Sequence, residues 1–68
     1  MTTFTVTTVS GDGSDSDTYE ADSFEALCKD LVEDFGEAFE EEDNIREEGD
    51  GSWSVWNDDL MHYITRVD

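Results

Sequence analysis

Twenty Asp and Glu against three Lys and Arg give this 68-residue chain a formal net charge of −17. A chain of this size hides about 60% of its unfolded surface, which leaves little room for a deep active-site cleft, and its charge repels nucleic acid and anionic membranes alike. The 35% apolar content, with four Phe, two Trp and two Tyr, exceeds what an acidic disordered tail carries, so residues 1–68 are expected to form one folded domain. Dimerisation or a partner would add to the stability of so small a core.

The chain opens with TFTVTTV at 3–9, a β-branched and aromatic run that predicts a strand with Phe4, Val6 and Thr8 on one side. The start MTTFTVTT lacks a basic segment, which predicts no signal peptide, and no apolar run approaches the roughly 18 residues of a membrane span. SGDGSDSD at 10–17 has the composition of a turn, with Asp12-Gly13 as a hairpin dipeptide, and leads to a short strand at 18–21.

Next comes the best-marked element, DSFEALCKDLVEDFGEAFEE at 22–41. Phe24, Leu27, Cys28, Leu31, Phe35, Ala38 and Phe39 fall on one helical stripe about 120° wide, and Asp22 or Ser23 supplies the N-cap. Gly36 could end the helix, yet Ala38 and Phe39 remain in phase, so it is expected to run to about Glu41. The single Cys28 cannot form an internal disulfide, and its place on the stripe predicts a reduced, buried thiol in a cytoplasmic setting. EEEDNIREEGD at 40–50 reads as a solvated acidic connection.

Two β-rich runs follow, 52–56 and 60–67, joined by a hairpin turn at Asn57-Asp58-Asp59. For the last strand Met61, Tyr63, Thr65 and Val67 carry more apolar area than Leu60, His62, Ile64 and Arg66, so the first set is expected to face the core. The resulting order is β-β-α-β-β, an α+β fold with one amphipathic helix packed on a small antiparallel sheet.

Candidate chemistry is sparse. A calcium loop starting at Asp12 would need Gly at its sixth position and Glu at its twelfth, where this chain has Asp17 and Ser23. His62 is the only histidine and Cys28 the only cysteine, too few for a zinc site, and no spacing joins His62 to a nucleophile and an orienting acid. No cationic cluster activates Cys28. Trp53, Trp56 and Tyr63 could stack bases, but such platforms sit in basic grooves. Trp56, if it faces away from the helix, is a candidate anchor for a protein partner. No cofactor, no metal and no enzymatic activity are expected.

The acids themselves are the unusual feature. From Asp22 to Asp50 thirteen stand against Lys29 and Arg46, and like-charge neighbours cost a few tenths of a kcal/mol each. Relief of that crowding predicts melts that improve from pH 7 towards pH 5. Glu33, Glu37, Glu40, Glu41, Glu42, Asp43, Glu47 and Glu48 are the candidate partner-binding residues, each offered to Lys or Arg of the partner in the place of a phosphate. Saline adaptation, or an acidic adaptor for a basic protein unrelated to nucleic acid, would also account for the composition.

In its size, its opening MTTFTVTT strand, its acid-capped helix DSFEALCKDLVEDF and its closing WSVWNDDLMHYITRV hairpin, the chain resembles the small phage-encoded inhibitors of bacterial defence, including acidic DNA-mimicking anti-CRISPR proteins. That resemblance implies a stoichiometric inhibitor acting in the host cytoplasm. Its implied partner is a basic nucleic-acid-binding protein or complex of the host, whose DNA- or RNA-binding surface it blocks.

Overall fold

Alternation in the first nine-residue strand sets the whole architecture. The computed structural model describes residues 1–67 and places β1 (Thr2–Ser10) next to the centre of a five-stranded antiparallel sheet of order β2-β1-β5-β4-β3. The other elements are β2 (Gly13–Ala21), helix α1 (Phe24–Phe35), 3-10 turns at Glu37–Glu40 and Glu42–Asn44, β3 (Ile45–Gly49), β4 (Ser52–Asn57) and β5 (Leu60–Arg66). One helix on an antiparallel sheet is the expected α+β arrangement, with a fifth strand added before the last two.

Phe4 and Val6 of β1 project under the helix, where Phe4, Leu27, Leu31, Val55 and Ile64 are almost wholly excluded from water. Each such side chain contributes about 1.5–3 kcal/mol on burial. Trp53 flanks this core by stacking on Phe24, with centroids 4.2 Å apart and planes 10° from parallel.

The first hairpin is tighter than its composition predicts. Ser10 pairs with Gly13, so only Gly11 and Asp12 turn, and Ser14 to Asp17 continue as strand opposite Val9 to Val6. Ser10 Oγ accepts from the Asp12 N–H and donates to the Gly13 carbonyl, both at 3.3 Å, while Thr7 and Ser16 hydroxyls meet at 2.9 Å across the strands. A long partner strand with matching hydroxyls overrides the turn preference of Ser and Asp.

Ser23, rather than Asp22, caps α1: its hydroxyl accepts the Ala26 N–H at 3.2 Å. The helix stops at Phe35 and not near Glu41. Gly36 adopts φ 113°, a conformation open to glycine at little cost, and its N–H closes the last turn on the Val32 carbonyl at 2.9 Å. Phe39 still reaches the core, because the 3-10 turn bends it back. The acidic connection likewise folds further than expected. Its second half is β3, in which Ile45 pairs with Val55 and a bulge falls between Glu47 and Gly49.

On β5 the expected orientation is reversed. His62 and Ile64 point to the core and are fully buried, while Tyr63 and Val67 are exposed. Counting apolar area misjudged His62, since a buried polar ring is penalised only while its nitrogens lack partners. Here Nδ1 lies 2.8 Å from the Thr8 hydroxyl and Nε2 3.4 Å from the Asn57 amide, with Phe35 and Phe39 against the ring at centroid distances of 4.6 and 4.9 Å. Because the same Asn57 amide donates to the Phe35 carbonyl at 3.2 Å, it presents N–H to Nε2, which leaves Nδ1 to donate to Thr8.

Candidate interaction surfaces

Register assigns every strand residue to one of two sheet faces. The pairs Phe4–Tyr19, Val6–Ile64, Val55–His62 and Ile45–Val55 share the side covered by α1. The opposite side carries Thr3, Thr5, Thr7 and Val9 of β1, Ser14, Ser16 and Thr18 of β2, Met61, Tyr63 and Thr65 of β5, and Ser52, Ser54 and Trp56 of β4. Its charged residues are Glu20, Arg46 and Glu48, all on the two outer strands. Trp56 lies there at 64% exposure, so it does face away from the helix, and its indole N–H donates to the Asp58 carbonyl at 2.7 Å.

The acids gather elsewhere. Glu33 stands on the solvent side of α1; Glu37 and Glu40 belong to the first 3-10 turn, Glu41 links the two turns, and Glu42 and Asp43 begin the second. All of these side chains are exposed. Glu47 projects on the helix side of β3, beside Trp53. Glu48 is placed apart from the other seven. It lies on the open face, accepts from the Ser54 hydroxyl at 2.8 Å, and approaches Arg46 at 3.8 Å, so its carboxylate is already engaged.

Between α1 and the β3–β4 hairpin runs an open groove of about 740 Å³. Phe24, Cys28 and Val32 line one wall at helical i, i+4, i+8 spacing, and Trp53, Ile45 and Phe39 form the rest of the apolar lining. Glu25, Glu40, Glu42 and Glu47 rim it, with Lys29 among them. The structure therefore brings Glu40, Glu42 and Glu47 of the predicted set around one concavity. Glu37 and Glu41 border a second hollow with Trp56 and Asp58. The groove was missed because its walls come from elements distant in sequence; the Phe24-Cys28-Val32 ridge was the available signal.

The single thiol and the single imidazole are both packed into the fold. Burial, with Glu25 close by, pushes the Cys28 thiol up to about 11, so it stays protonated at neutral pH. Burial also lowers the proton affinity of His62, which is neutral and occupied by its two partners. Tyr19 is raised by burial and by Asp34 and Asp17, and its hydroxyl donates to Asp34 at 3.5 Å. Asp15 and Asp17 lie along an extended strand with Ser14 and Ser16 on the other face, so SDSD does not wrap a cation. Among the described residues no three His, Cys, Asp or Glu side chains are grouped to hold a metal ion. Nor is any helix there long and apolar enough to cross a membrane.

No protein-family model, curated protein or solved structure matches this chain.

Proposed function

We propose that the chain is a non-enzymatic acidic binding protein that occupies the nucleic-acid-binding surface of a basic partner, as a phage-encoded inhibitor of a host defence complex would in the host cytoplasm. The segregation of charge carries this reading. Exposed carboxylates crowd the outer side of α1, the two 3-10 turns and the helix side of β3, while the open sheet face has charges only on its outer strands. Adaptation to a saline medium would load both surfaces, because both meet the same water. A one-sided array is what a Lys- and Arg-lined channel requires of a stand-in for phosphates.

Neutralising Glu40, Glu41, Glu42 and Asp43 to Gln and Asn tests this reading. All four are exposed, so the domain keeps its fold. A basic DNA-binding complex captured from bacterial lysate at low salt serves as the partner. The wild-type chain is expected to displace duplex DNA from it, and the quadruple variant to do so at least about tenfold less well, the gap narrowing in high salt. Matched changes of Asp12, Asp15 and Asp17 should matter less. Simultaneous binding of chain and DNA, or equal competition by both variants, would overturn the proposal.

A further inference from the structure

The acidic array surrounds an apolar hollow, and a pure phosphate imitation has no use for one. Phosphates are recognised at a surface, by charge and hydrogen bonds. Here Phe24, Val32, Ile45 and Trp53 are all only partly buried, and together they leave a furrow between helix and hairpin. Its volume is about 740 Å³. Phe24 and Trp53 are already stacked on each other, which fixes part of the lining before anything binds. Around it Glu40, Glu42 and Glu47 project into water, and among the described residues none of them makes an ion pair.

We infer that this groove binds a short segment of a basic protein, whose apolar side chains enter between α1 and β3–β4 and whose Lys or Arg residues meet Glu40, Glu42 and Glu47. The two components of the site call for the two components of that segment. Apolar side chains alone would leave the rim carboxylates unmatched, and a wholly cationic segment would leave the lining wet. Amphipathic segments in apolar grooves are a recurrent recognition mode, with apolar anchors supplying residence and surrounding charges supplying rate and register. Lys29 sits on the same rim, so the segment's cations concentrate on the Glu40, Glu42 and Glu47 side. This inference deepens the reading of the chain as a binder of a basic partner by naming the part of that partner that anchors. It does not require the partner to bind nucleic acid.

The test uses the full chain carrying Trp56→Phe, so that Trp53 is its only indole. The probes are three synthetic peptides of equal length: Leu–Lys, Lys–Gln of the same charge, and uncharged Leu–Gln. The Leu–Lys peptide is expected to shift Trp53 emission to the blue and to move backbone resonances at 24–32, 39–47 and 53. Lys–Gln and Leu–Gln should each bind at least about tenfold more weakly. Changing Glu40, Glu42 and Glu47 together to Gln should weaken Leu–Lys binding about tenfold or more, whereas Asp12, Asp15 and Asp17 changed to Asn should alter it less than about twofold. Equal binding of Leu–Lys and Lys–Gln, equal losses in the two triple variants, or resonance shifts centred on the open sheet face would overturn the inference. Peptide binding without displacement of DNA from the partner would sink the phosphate imitation and leave the groove standing; displacement without peptide binding would do the reverse.

Discussion

The two solvent-facing sides of this molecule differ more than its composition suggests. On the outer surface of α1 and the following 3-10 turns, Glu33, Glu37, Glu40, Glu41, Glu42 and Asp43 stand exposed with few cations between them. Across the molecule, the open face of the sheet is a field of Ser and Thr hydroxyls with Val9, Met61, Tyr63 and Trp56 at one end. Strand propensity does not explain the contrast. The outer strands do accept acids, Asp15 and Asp17 on β2 and Glu47 and Glu48 on β3, so a sheet residue in this chain can be charged. The carboxylates are thus a matter of placement. A net charge of −17 describes one side of the molecule better than the whole.

If the covered side of the sheet carries stability and the open side carries little, substitutions should separate the two. The largest loss is expected for Leu31→Ala, which empties a fully buried site between helix and sheet. Urea denaturation should show a loss of about 2–5 kcal/mol with an unchanged slope.

A smaller effect comes from His62 on the same side. Its folded proton affinity is lowered by burial, so below its ordinary value of about 6.5 the unfolded chain binds more protons than the folded one. Its contribution is fully present above pH 6.5 and is lost as pH falls towards the lower folded value, by at most about 1.4 kcal/mol per unit. Melts of wild type and His62→Gln at pH 7 and 5.5 isolate the histidine. Relative to the variant, wild type should lose stability over that interval, and an unchanged or increased difference would show that His62 takes up its proton in the folded state as readily as in the unfolded chain.

The smallest effect belongs to the open face. Trp56→Thr removes a largely exposed ring and supplies a good strand former, so its unfolding free energy should change by no more than about 0.5 kcal/mol. A large loss there would mean that the open face supports the fold after all.

Periodicity made much of this architecture readable. Phe24, Leu27 and Leu31 announced a helix face, and Phe4 and Val6 a strand face, because each set follows the repeat of its own element. Where the outcome rested on a partner distant in sequence, local reading failed. Ser14 to Asp17 are strand because β1 lies beside them, and Ile45 to Gly49 because β4 does. His62 is interior because Thr8 and Asn57 receive its nitrogens. The candidate site divides along the same line. Exposure of the eight acids followed from the helical pattern and the polar run at 40–50, but the groove among three of them depends on Gly36 ending the helix and on a hairpin folding alongside. Glu48 stands apart from the other seven for the same kind of reason, a neighbouring serine hydroxyl.

The pairing of β1 with β5 has a consequence in time. Val6 lies opposite Ile64, and the Val67 N–H donates to the Thr3 carbonyl at 2.9 Å, so strands from the two ends of this sequence meet next to the centre of the sheet. A ribosome adding roughly 5–20 residues per second finishes β2 some seconds before β5 emerges. Throughout that interval the inner strand of the first hairpin lacks the neighbour that closes its second edge. Asp15 and Asp17, on the same face of the same hairpin, give the nascent chain a charge that discourages pairing with its neighbours before its own last strand arrives. Part of this acidity therefore acts while the polypeptide is still being made.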